Sequence, residues 1–205
     1  MMSSPINRAR VQAVILDMLS AEQYCGQDDL LDGLVHVVEA GPTDPEGGWI
    51  PGGRWFDRPD PYFSMVSVGV GGVVSASPEL MPWVVPLFEG ADRDQMMEPV
   101  RISEVSTHMA EHGQKTFGPF PRWVCAEEDL REYSAPTGYS IEIRDDEDDR
   151  HVVMAQQAAS RRPGERTTHQ FRAVANGSQG PVGSAGVTAD GDGLYQIHIA
   201  ITEEH

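Results

Sequence analysis

The sequence predicts an α+β fold of layered α/β character, a mixed and mainly antiparallel sheet flanked by helices. Three observations carry that prediction. Apolar residues recur at helical spacing over residues 7–24 and 102–112, they alternate with a period of two over 62–77 and 194–202, and the last three strand-like runs are joined by links short enough to make them antiparallel neighbours. At 205 residues and 40% apolar content the chain can bury a real core.

In order along the chain, Asn7 is read as the cap of a first helix, with Val11, Val14, Ile15, Met18 and Leu19 as its apolar stripe. A short helix is expected from Asp28 to Leu34, then a strand in "VHVVEA". Residues 41–61, "GPTDPEGGWIPGGRWFDRPDP", hold too much Gly and Pro for a regular element and read as a long surface loop. "YFSMVSVGVGGVVSAS" reads as a hairpin turning at Gly71-Gly72. Ser77-Pro78 starts a helix, and Gly113 stops the one at 102–112 in the left-handed cap position. "RWVCAEEDLREY" reads as a further helical or mixed segment.

Composition changes at "SAPTG", residues 134–138, which predicts a linker between a region 1–134 and a region 138–205. The second region opens with strand "YSIEIR", followed by the acidic run "DDEDD" and a helix over "RHVVMAQQAAS". The acidic run suits a helix N-terminus, because no glycine bend or distal Glu follows at calcium-loop spacing. Strands are then expected at 168–175, 181–188 and 194–202. In the last, Tyr195, Ile197, Ile199 and Ile201 fall on one side and Leu194, Gln196 and His198 on the other, which predicts a strand inside a sheet.

A net charge of −17, with Lys115 the single lysine, opposes nucleic-acid binding, which needs clustered cations. Cys25 and Cys125 are far apart and read as buried free thiols. No run is apolar enough to span a membrane, and "MMSSPINRAR" lacks the apolar stretch of a signal peptide, so no membrane partner and a cytoplasmic address are expected.

Two side-chain constellations invite chemistry. "HMAEHG" at 108–113 fits H-x-x-E-H, in which two histidines one helical turn apart hold zinc while Glu111 activates water. Gly113 ends that helix at once, and Glu127 and Glu128 are candidates for the third ligand by proximity alone, so a zinc hydrolase ranks third and no metal site is assigned. Serine-nucleophile catalysis has no G-x-S-x-G to rest on. Trp49, Trp55, Trp83 and Trp123 read as core and loop anchors.

The segment "PVGSAGVTADGDGLYQIHIAI" resembles the stretch of GNAT N-acyltransferases in which a "VG.AG" strand leads through a short acidic turn to a "W-Q-I-G-I-D-V" strand. Upstream, "VSASPELMPWVVPLFEG" and "HGQKTFGPFPRWVC" are similar to the N-terminal half of bacterial two-part GNAT proteins, so the likeness runs from about Val11 to His205. It implies acetyl-CoA-dependent transfer of an acyl group to a small-molecule amine. It also implies that Ile199, Ala200 and Ile201 meet the thioester and pantetheine through main-chain hydrogen bonds. His198 would then serve as base, with Gln196 orienting a water or the amine. The family segments often carry Gly at the His198 position and Asp at Ala200.

In that family the strand is followed by a Gly-rich loop and a helix whose N-terminus holds the pyrophosphate. The resemblance therefore implies a GNAT-like fold whose C-terminal half is incomplete, a truncated enzyme that is weak or inactive alone. The alternative expectation is a non-catalytic interaction module, completed by strand addition from a second copy or a complementing chain.

Overall fold

The computed structural model describes residues 5–42, 50–54, 58–144, 169–191 and 194–201. Trp49, Trp55, the "DDEDD" run and the helix expected after it lie outside the described residues. The chain is α+β and divides into two compact units, residues 1–129 and 130–205.

The first unit opens with α1, Pro5–Gln23, which includes Asn7 inside its first turn rather than at its cap. A 3-10 turn at Asp28–Leu30 leads into β1, Val35–Glu39. The strands β2, Phe63–Val66, and β3, Gly72–Ala76, pair antiparallel, and β1 joins β3 in parallel, giving the order β1-β3-β2. The hairpin turns at Gly69, whose φ of 73° needs glycine, and not at the expected Gly71-Gly72. Gly72 is small for a different reason: a Cβ there would lie 2.5 Å from Cε of Met96.

Ser77 and Pro78 do begin a helical stretch, a 3-10 turn to Leu80 that runs into α2, Met81–Phe88. The Ser77 hydroxyl does not cap it; its oxygen accepts the Tyr62 N–H at 2.8 Å and ties the start of the helix to the start of β2. A four-residue helix α3, Arg93–Met96, follows, its Asp92 and Gln95 bonding each other's backbone N–H in a capping box. Then comes α4, Pro99–Glu111, with Gly113 at φ 73° just past its end. The segment expected to be helical or mixed at 122–133 contains a 3-10 turn, Glu127–Asp129, in otherwise irregular chain.

Strand alternation sorts the side chains to two faces. Val66, Val73 and Val38 meet Leu16 and Leu19 of α1, while Val74, Ala76, Phe63 and Met65 pack with Val84 and Phe88 of α2 and Val105 and Met109 of α4. The unit is thus helix, sheet, helix in section, with every residue of β3 buried. Along α1 the buried positions are Leu16, Glu22 and Gln23, whereas Val14 is exposed.

The second unit holds a four-stranded sheet in the order β4-β5-β6-β7: Ser140–Arg144, His169–Gly177, Gly180–Gly191 and Leu194–Ile201. All three pairings are antiparallel. The apolar β7, expected inside a sheet, is instead terminal among the described strands, and Ile197, Ile199 and Ile201 are 57%, 74% and 71% exposed. No helix among the described residues is long and apolar enough to cross a membrane.

Candidate functional sites

On β7 the register fixes which residues share a face. Gln196, His198 and Ala200 stand opposite Thr188, Gly186 and Ser184 of β6; Ile199 and Ile201 stand opposite Ala185 and Gly183 on the other face. Ile141 and Ile143 of β4 and Ala173 and Ala175 of β5 continue that second face across the sheet. The structure therefore brings Gln196 and His198 together as next-but-one neighbours and leaves the outer side of the β7 backbone out of the ladder among the described strands. On such an antiparallel edge, alternate residues turn N–H and C=O outward, where they can bond a ligand.

The H-x-x-E-H stretch lies at the end of α4 with its histidines otherwise engaged. The His108 ring stacks on Trp83 at 4.1 Å and its Nδ1 is 3.4 Å from Glu111, while His112 meets the His108 ring edge-on at 5.1 Å. Glu128, expected as a third ligand by proximity, accepts from Arg10 at 2.8 and 2.6 Å instead. Among the described residues no group of three metal-ligating side chains converges.

The residues that sequence reasoning passed over are at the end of α1. Glu22 is 5% exposed, and Arg54 donates to it from Nε, from Nη2 at 2.8 Å and from its backbone N–H at 3.0 Å. Gly53 makes the approach feasible, because a Cβ on it would lie 2.7 Å from Cγ of Glu22. Arg58 donates from Nη1 to the Tyr24 hydroxyl and the Gly41 carbonyl, with its guanidinium 5.2 Å from the Tyr62 ring centre. These contacts pull the supposed surface loop inward: Ile50 and Tyr62 are buried against Ala40 and Tyr24. No family model matches the chain, and no curated protein or solved structure matches it.

Tyr62 reports on this cluster. Its hydroxyl donates to the Glu22 carbonyl at 3.1 Å, and burial above all pushes its pKa up to about 12. The raised value means that the neutral phenol belongs to the folded state. Its contribution is complete below the unfolded value of about 10 and is lost as pH rises from there towards the folded value. Titrated by absorbance at 295 nm, the protein is expected to show a last tyrosine step near pH 12 that Tyr62→Phe removes. Retention of that step in the variant would reassign it.

The cysteines divide. Cys125 is exposed, contrary to expectation, while Cys25 is half-buried and its thiol is pushed up to about 11 by burial and the nearby Asp29 carboxylate.

Proposed function

We propose that the chain is an acetyl-CoA-dependent N-acetyltransferase of the GNAT type, or part of one, with 138–205 as the opening of its catalytic core. The supporting observation is the path of the second unit. One strand, then residues 145–168, and then three antiparallel strands are laid side by side in chain order, and the last, at the edge among the described strands, bears the "LYQIHIAI" pattern. The edge of β7 suits the thioester end of acetyl-CoA: within Ile199, Ala200 and Ile201, the alternate main-chain groups that face away from β6 polarise the acyl carbonyl and hold the pantetheine amide. His198 takes the proton from the amine as its C–N bond to the acyl carbon forms, the thioester C–S bond breaks and coenzyme A leaves as its thiolate, and Gln196 orients the amine or a relaying water.

Amide NMR on the 205-residue chain tests the reading. At millimolar acetyl-CoA the N–H signals of Ile199, Ala200 and Ile201 are expected to move together, and desulfo-CoA, which lacks the acyl carbonyl, to move them less. Invariance of the whole 194–201 stretch would overturn it.

The exposure of Ile197, Ile199 and Ile201 on a terminal strand favours a second reading, an interaction module in which another copy extends the β7 edge. A mass that rises with concentration in light scattering, with no acetyl-CoA response, would select that reading over the first.

A further inference from the structure

The first unit contains a cleft of about 310 Å³ between α4, β2 and Ile50, Arg54, Arg58 and Pro59 of the 41–61 loop, roofed by residues 114–119. The roof is tied down at both sides: Gln114 Nε2 donates to the Asp60 carbonyl at 2.8 Å, and the Thr116 and Ser106 hydroxyls are 2.6 Å apart. Its volume falls at the small end of ligand pockets, roughly 300–1,000 Å³.

The walls and the charges of the cleft differ in kind. Phe63, Met65, Met97, Val105 and Met109 make an apolar interior, in part the same side chains that close the core between sheet and helices. The charged lining is Arg54, Arg58, Lys115 and Glu22. Glu22 is already held by Arg54 through two side-chain bonds, which leaves the charges of Arg58 and Lys115 unbalanced by a lining carboxylate among the described residues. Arg58 spends Nη1 on Tyr24 and Gly41, and Lys115 makes no hydrogen bond or ion pair among the described residues.

This local sign runs against the whole chain, which carries 32 acidic residues to 15 basic ones. A patch drawn from such a surface is expected to be acidic, whereas this pocket gathers the only lysine and two arginines around an apolar interior, a local excess of positive charge that favours an anion against the field of the whole chain.

We propose that this cleft binds a small amphipathic carboxylate, its apolar body among Phe63, Met65, Val105 and Met109 and its carboxylate facing Arg58 and Lys115. Met-rich walls suit such a ligand because the unbranched thioether repacks around an alkyl or aryl body. A larger polyanion such as a nucleotide is disfavoured by volume, and an amine by charge. The inference concerns the first unit and stands independently of the acetyltransferase reading, which rests on 194–201.

Sodium octanoate is the probe, with 1-octanol and octylammonium of the same chain length as controls, added to the full chain labelled with carbon-13 at the methionine methyls. Of the nine methionines, Met65, Met97 and Met109 line the cleft. Their signals are expected to move saturably with octanoate, with an affinity about tenfold above that for octanol, and not to saturate with octylammonium. Lys115→Gln, which removes no hydrogen bond or ion pair among the described residues, is expected to weaken octanoate roughly threefold and leave octanol unchanged. Arg58→Gln tests the second charge, its ligand-free methionine spectrum reporting whether the variant is folded. The proposal is overturned if the three methyl signals stay fixed, if octanol matches octanoate, or if Lys115→Gln binds octanoate as the parent does.

Discussion

Glu22→Ala is expected to destabilise the protein by about 3–5 kcal/mol, because it removes the carboxylate that accepts from the Arg54 Nε, Nη2 and backbone N–H in a site from which water is largely excluded. The Glu22 and Arg54 side chains are only 7% and 15% exposed, so solvent cannot take over the lost contacts. The loss should reach beyond the pair. Arg54 holds the 50–54 stretch of the 41–61 loop against α1, and Tyr62 bonds the Glu22 carbonyl on the same turn. The check is urea unfolding followed by circular dichroism, together with a double variant, Glu22→Met with Arg54→Leu. Replacing both charges with apolar groups is expected to cost clearly less than Glu22→Ala alone. A single variant with an unshifted midpoint would mean that the pair contributes nothing to the fold.

Phe88→Ala comes next in size, at about 3–5 kcal/mol, the range for truncating a fully buried aromatic side chain. Phe88 is completely buried at the C-terminal end of α2, its ring 6.3 Å from that of Phe63 on β2, with the Arg101 guanidinium of α4 5.8 Å away. It therefore joins three elements, and the void left behind cannot be filled by movement of one neighbour. Phe88→Leu, which keeps most of the volume, is expected to lose less than half as much. Equal midpoints for Phe88→Ala and the parent protein would remove Phe88 from the core.

How far these features could be read from the sequence depends on how local their causes are. The Pro78 start, the Gly113 stop and the final three-strand meander follow from backbone rules acting within a few residues, and they stand where expected. Gly72 was misread because two glycines in an alternating run signal a turn, whereas its size is set by Met96, distant in sequence. The parallel pairing of β1 with β3 has no local signature either, since the strands are separated by a loop and by β2.

The buried end of α1 was hidden for a chemical reason. Glu22 and Gln23 interrupt the apolar stripe, and a periodicity argument assigns polar residues to solvent unless their partners are known; Arg54 and Ser64 become partners only when the chain folds. For β7, alternation identified the strand and its two faces but not its position in the sheet. An apolar face says that something covers it or that something binds it, and sequence pattern does not separate the two.

The order β1-β3-β2 also governs how this unit is made. The middle strand comes last along the chain, and β1 and β2 each pair with β3 and not with each other. A nascent chain that has reached residue 71 contains both outer strands and no ladder to join them. Sheet formation must therefore wait for Gly72–Ala76 to leave the ribosome, and the neighbouring hairpin partner, β2, reaches it with far less loop to close than β1. Until then Val35–Glu39 has open edges that another chain can pair with.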